Sequence, residues 1–188
     1  MESRALETIR TMLVDSGPQG NFEEVQAPLD ETRMFLFSKV LVVFSDKTRV
    51  TERELTKILE YADTNDYKNG VIIVTPTTPS ELVIDSVRNY IANPENPLLQ
   101  IFELRHLGFD ISKHRQVPKH RLLKEGELDA FLKQYNLTPQ NVNLLPKLDC
   151  QDPMAKRIRA RPGDVVEITG LSLSSGEYRR ARLCVDRT

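Results

Sequence analysis

The sequence predicts an α+β protein in two parts: a larger α/β unit, then a small unit of short helices around a β-hairpin. Three observations predict it. Between residues 34 and 91 the apolar pattern alternates strand, helix, strand, helix. Asn93-Pro94-Glu95-Asn96-Pro97 then breaks the pattern with two prolines and two asparagines. From residue 152 to residue 185, a capped helical turn leads into two short segments of alternating polarity.

Each element has a local reason. Leu6, Ile9, Leu13 and Val14 form a helical stripe over residues 3–14, with Ser3 as a candidate cap and Gly17-Pro18-Gln19-Gly20 as the breaker. Residues 21–30 read as irregular. Residues 34–44 carry Phe35, Phe37, Val40, Val42 and Phe44, one strand or two joined at Ser38-Lys39, buried on both faces. Residues 51–62 form a helix, in which Thr51 caps and Glu54 completes a capping box. Its inner stripe is Leu55, Ile58, Leu59 and Ala62. Residues 70–75 (GVIIVT) are a short buried strand. Residues 79–91 form a second helix, with Pro79 or Ser80 at its start and Leu82, Val83, Val87 and Ile91 facing inward. This order implies right-handed crossovers.

Residues 98–111 read as extended, and so does Val117-Pro118, because the residue before a proline avoids the helical region. Residues 125–135 form a helix burying Leu128, Phe131 and Leu132, and Thr138-Pro139 opens a short turn or helix leading to Leu144-Leu145-Pro146. Asp152 caps and Pro153 opens a helix over residues 154–159, which Pro162-Gly163 ends. A strand follows over residues 164–169, with Val166 and Ile168 on one face. Residues 170–176 read as a loop longer than a tight turn. The last strand, residues 178–185, places Ala181, Leu183 and Val185 on the buried face and Arg180 and Arg182 on the other.

Composition narrows the function. The chain has 188 residues, 39% of them hydrophobic and 28% charged, as in soluble globular proteins. It holds no apolar run long enough for a membrane helix, and residues 1–13 lack the apolar core of a signal peptide. Two cysteines, Cys150 and Cys184, make no disulfide framework and suit a reducing compartment. Residues 1–97 carry 10 Lys or Arg against 16 Asp or Glu, while residues 98–188 carry 16 against 11. The acidic first half is not a nucleic-acid binder by bulk charge, while the basic second half could face acid or nucleic acid, although so modest an excess is usually a solvated surface. Lys156, Arg157, Arg159 and Arg161 cluster on one short stretch, either a solvated helix face or a contact for acidic groups. His106, His114 and His120 lack metal-ligand spacing, so no metal is expected, and the rings of His114 and His120 are assigned to backbone hydrogen bonds. Phosphate-binding glycine loops are absent, and no cofactor and no catalytic residue is expected.

The stretch from residue 114 onward resembles a known family, the fifth subunit of eukaryotic RNA polymerases together with its shorter archaeal counterpart. The family pattern HxLVPxH is matched by His114-Arg115-Gln116-Val117-Pro118-Lys119-His120. LLKRYxL and LP are matched by Phe131-Leu132-Lys133-Gln134-Tyr135-Asn136-Leu137 and Leu145-Pro146. DPVA is matched by Asp152-Pro153-Met154-Ala155, GxVVKI by Gly163-Asp164-Val165-Val166-Glu167-Ile168, and SGRYxxYR by Ser175-Gly176-Glu177-Tyr178 with Arg182. The chain departs from the family at Arg157 (Tyr there), Arg159 (Gly), Glu167 (Lys) and Ala181 (Tyr), and adds two residues before Leu145-Pro146. In the first half, Asn21-Phe22 with Pro28-Leu29, and Val71-Ile72-Ile73-Val74 followed by Thr78-Pro79-Ser80, are similar to the family's opening segment and to its strand before TPSA.

The resemblance implies a three-layer, restriction-endonuclease-like jaw domain over residues 1–111 and a small mixed-sheet assembly domain over residues 112–188. Composition alone would divide the chain near Pro97. It implies a non-catalytic subunit of a multisubunit DNA-dependent RNA polymerase, docked on the largest subunit beside other subunits. Downstream DNA would lie nearby without sequence reading, and neither a membrane nor a homo-oligomer is involved. The interface would use His114, Val117, Pro118, His120, Leu145, Pro146, Asp152, Pro153, Ala155, Arg157, Gly163, Val165, Val166, Gly176, Tyr178 and Arg182. The DNA-proximal loop would be Thr78, Pro79 and Ser80, at a helix N-terminus that favours phosphate. Location would be the nucleus for a cellular protein, and the cytoplasm or virion for a viral one. The alternatives are a stand-alone adaptor binding transcription factors, and a nuclease. The nuclease reading needs converging carboxylates on strands, and residues 71–75 are apolar with no Glu-x-Lys; Asp46-Lys47 alone is not enough.

Overall fold

A computed structural model describes residues 1–17, 19–26, 31–134, 138–172, 174 and 176–186. It is α+β, with two mixed sheets in two compact units, Met1–Phe109 and Asp110–Thr188. The Pro97 turn lies inside the first unit, ahead of that unit's last strand.

The first unit is organised by its most apolar segments. α1 spans Glu2–Asp15, β1 Glu23–Val25, β2 Thr32–Phe37 and β3 Val40–Ser45. α2 spans Glu52–Thr64, β4 Gly70–Thr75, α3 Glu81–Ala92 and β5 Leu99–Glu103. The sheet order is β1-β2-β3-β4-β5; the first pairings are antiparallel, and β3, β4 and β5 run parallel through the two helical connections. The apolar run of residues 34–44 is a hairpin. Ser38 and Lys39 both take positive φ (46° and 65°), the handedness that suits a two-residue turn between twisted strands. Asn69 ties that turn down, its side-chain amide donating to the Ser38 carbonyl at 2.6 Å. Every residue of β3 and β4 is buried, as central strands covered on both faces require. Ala5, Ile9, Met12 and Leu13 of α1 pack on one sheet face with Phe37, Val40, Val42, Phe44, Ile72 and Val74. The capping box of α2 is present, with Thr51 and Glu54 bonding reciprocally.

Four expectations for this unit need correction. Ser3 is not the cap of α1, which starts at Met1 without a side-chain cap. The segment read as irregular contains β1, held by register against β2 rather than by its own pattern. Leu82 does not face inward but is 71% exposed, since the buried stripe of α3 runs Val83, Val87, Ile91. The extended reading of residues 98–111 holds only to Glu103, after which Leu104–Leu107 and Ile111–Lys113 form 3-10 turns. Pro28-Leu29 lies outside the described residues.

In the second unit, β6 spans Lys119–Leu122, α4 Glu125–Gln134, β7 Lys147–Asp149, α5 Pro153–Arg157, β8 Val165–Ser172 and β9 Gly176–Val185. The sheet order is β6-β8-β9-β7, with β7 parallel to β9 and the other pairs antiparallel. Val165, Ala181 and Leu183 form one core, closed by Leu123, Leu128, Phe131, Val142, Leu145 and Val185. Asp152 caps α5 as expected: its Oδ1 accepts from the Met154 and Ala155 amides at 2.7 and 3.3 Å, and Pro153 occupies the first turn.

This unit also corrects the sequence reading. α5 stops at Arg157, two residues early, because Arg159 sits in the left-handed region at φ 58°. That is the conformation for which the family's glycine is suited. Residues 170–172 are strand rather than loop, since β8 and β9 pair as far as Ser172 with Gly176. Gly170 pairs with Tyr178, whose ring lies across it so closely that a Cβ at Gly170 would stand 2.5 Å from ring atoms. Ser175 and the segment Tyr135-Asn136-Leu137 lie outside the described residues.

Candidate docking surface

The residues singled out in the second half fall into an interior set and a surface set. Ala155, Val165 and Val166 are fully buried core side chains, so they offer a partner no surface. Arg157 is likewise not a solvated cation on a helix face. Its guanidinium is buried and grips Asp110 with two hydrogen bonds of 2.9 Å, Nε to Oδ1 and an Nη to Oδ2. Burial pushes the Asp110 carboxyl up, but the hydrogen bonds from Arg157 and Ser112 outweigh it and hold the group down at about 2. The pair locks α5 to the turn at Ile111–Lys113. Burial and the neighbouring Arg161 lower the Arg159 guanidinium to about 10, so it stays charged at neutral pH.

The surface set begins at β6. His114 is exposed, and Val117, Pro118 and His120 are half-buried on the approach to the strand. Both rings meet backbone groups as the sequence suggested: the Gln116 amide donates to His114 Nδ1 at 3.3 Å, and His120 Nδ1 lies 2.8 Å from the Pro118 carbonyl. The Leu123 amide donates to the Val165 carbonyl, so by strand alternation Arg121 and Lys119 face β8, while His120 and Leu122 aim their N–H and C=O at the free edge. Arg121 bonds Glu167 of β8 at 2.7 Å and both Glu127 oxygens of α4 at 2.9 Å. Glu167, where the family carries Lys, is therefore matched within the chain. The backbone N–H of Lys124, then Arg121, holds the Glu127 carboxyl below its usual range.

A second part of the surface gathers Leu145, Pro146 and Arg182. With Phe131 of α4 and Ala181 of β9 they line an open cleft of about 310 Å³, and Arg179 and Arg180 stand on its rim. Arg182 donates to the Lys147 carbonyl at 2.9 Å, and Arg180 lies over the Tyr178 ring, 4.8 Å from its centroid. Gly176 and Gly163 are exposed at turns, both with positive φ, and Pro153 is exposed beside its cap. Cys150 and Cys184 are buried and not joined in a disulfide; burial, with Cys150 adding to it, pushes Cys184 up to about 12.

In the first unit Thr78 donates to Glu103 at 2.9 Å, a buried carboxylate that also pairs with Arg105. Ser80 precedes α3 without a side-chain cap, and Glu81 opens the helix. Glu81 in the first turn already supplies negative charge at the positive end of this helix. Among the described residues, no group of three His, Cys, Asp or Glu side chains could hold a metal ion.

Sequence reasoning missed Asp110, Arg121, Glu127 and Arg179. Asp110 and Arg157 are 47 residues apart, a separation that leaves no periodic trace. Arginine in a strand reads only as a polar face.

The family model "RNA polymerase Rpb5, C-terminal domain" matches residues 109–184. The DNA-directed RNA polymerase subunit Rpo5 of Pyrococcus abyssi is 41% identical over 78 residues, which is 42% of this chain and 92% of the relative. Its counterparts in Methanosarcina barkeri and Archaeoglobus fulgidus are 40% and 42% identical over 78 and 79 residues, also 42% of this chain, and 96% and 100% of those proteins.

Proposed function

We propose, from the premise that the chain belongs to the Rpb5/Rpo5 family of RNA polymerase subunits and is not a catalyst in its own right, that it docks on the polymerase's largest subunit through its second unit. The observation that carries this reading is where the similarity lies: residues 109–184 take in all four strands of the second sheet, short only of Val185. The free edge of β6, with its outward groups at His120 and Leu122, supplies the contact. Docking by backbone hydrogen bonds tolerates change in side chains. That fits a chain that departs from its family at Arg157, Arg159, Glu167 and Ala181.

The first unit, in this reading, is a restriction-endonuclease-like jaw module beside downstream DNA. The carboxylate of Glu81 in the first turn of α3 fits a loop at Thr78, Pro79 and Ser80 that borders the DNA without clamping it. The protein would reside where its polymerase works: the nucleus for a cellular enzyme, the cytoplasm or virion for a viral one.

A tagged pull-down from native extract at moderate salt tests this. Both large polymerase subunits are expected in stoichiometric amounts. Recovery alone, or with unrelated partners, overturns the docking reading in favour of an adaptor. His120→Pro removes an outward N–H without touching a bond to β8, and is expected to reduce recovery of the large subunits several-fold.

A further inference from the structure

Among the described residues, one stretch of the second sheet beyond β6 is left open. β9 runs Gly176–Val185, but β7 pairs only with Leu183, Cys184 and Val185. The Leu183 amide donates to the Pro146 carbonyl at 2.9 Å. Strand alternation therefore aims the N–H and C=O of Ala181 and Arg179 to the same side, where no strand of the described residues pairs with them.

The cleft lies against this open edge. Its floor is apolar: Phe131, Leu145, Pro146 and Ala181. Its rim is cationic, and Arg179 and Arg180 are exposed with no carboxylate partner among the described residues. Arg182 gives one N–H to Lys147, and a guanidinium has five. At about 310 Å³ the cleft is at the small end for a cofactor pocket, but it suits a single large side chain.

We propose that this cleft seats an extended acidic segment of a partner protein, added as a strand to the open edge of β9 in line with β7. An aromatic side chain of the segment rests on the floor, and its carboxylates lie against the arginine rim. Each part answers something left unmatched: backbone groups by a strand, apolar surface by an aromatic anchor, cations by carboxylates. A nucleic-acid backbone would satisfy only the rim. The proposal rests on the docking reading above and names the chemistry of one contact within it.

The test uses the full chain and the blocked peptide Gly-Asp-Glu-Trp-Glu-Asp-Gly. The chain contains no tryptophan, so the peptide supplies the only indole signal. Saturable binding below about 1 mM is expected, with a blue shift of the indole emission. Affinity should fall at least ~tenfold with Arg179→Glu, an exposed position outside the core, and with a peptide carrying Asn and Gln in place of its acids. Ala181→Tyr, which fills the floor, should abolish the blue shift. No saturation by about 1 mM overturns the proposal, as does unchanged affinity in Arg179→Glu or tighter binding of oligothymidylate at the same site. A silent peptide alongside a pull-down that recovers polymerase removes the cleft alone. Peptide binding without polymerase recovery removes the docking reading alone.

Discussion

In the first unit, β3 and β4 are buried along their whole length, and α1 fits its apolar stripe onto one face of their sheet. In the second unit, the central strand β8 is buried only from Val165 to Ile168, and a charged residue, Glu167, is among the four. Cross-links there are polar: Arg157 with Asp110, and Arg121 with Glu167 and Glu127. The first arrangement ties stability to packed volume. The second ties it to pairs of groups that can be exchanged together, while among the described residues no strand pairs with the outer edge of β6 or with β9 at Arg179 and Ala181. In the second unit a substitution such as Glu167 finds its match in Arg121, an accommodation that a packed apolar sheet would not offer.

The largest expected effect breaks the first arrangement. Phe37 is fully buried between α1 and the sheet, and Phe37→Ala should cost about 3–5 kcal/mol. Hydrogen exchange should show the loss in β2, β3 and β4, with the amides of β8 and β9 nearly unchanged. Equal loss in both units would erase the contrast.

Next comes the buried pair. Asp110→Asn should lower stability by about 2–3 kcal/mol at pH 7, because a charged acceptor is removed from a buried guanidinium. The Asp110 carboxyl titrates at about 2 in the folded chain, below its ordinary value of 3.8. Its contribution is therefore complete above pH ~4 and fades as the pH falls through about 2. Denaturant unfolding should find the variant and the natural chain converging over that interval. A constant gap down to pH ~2 would remove the charge from the explanation.

The smallest effect sharpens the comparison at one residue. Arg159→Gly should be more stable than Arg159→Ala by about 1 kcal/mol, since both lose the side chain but only glycine is at ease at φ 58°. Equal midpoints in thermal unfolding would mean that the left-handed backbone carries no strain.

These residues also mark what could be read in advance. The capping box at Thr51 and Glu54, the turn at Ser38-Lys39 and the Asp152-Pro153 start of α5 were legible because each is decided by neighbours in sequence. β1 was not, because its three residues acquire meaning only from the register with Met34, Phe35 and Leu36. Residues 170–172 were misread because Gly and Ser signal turns, while the reason for Gly170 is a Tyr178 ring on the facing strand. The surface motifs were found by resemblance. The partners of Arg157 and Glu167 were not found, because charge pairing across a fold has no period.

The placement of the thiols gives the second unit a clock of its own. Both cysteines of the chain, Cys150 and Cys184, are there and buried, and the thiolate that reacts is suppressed at Cys184 well beyond neutral pH. An alkylating reagent therefore waits for the strands around Cys184 to part. Its rate counts those openings while the first unit, with no sulfhydryl, stays silent.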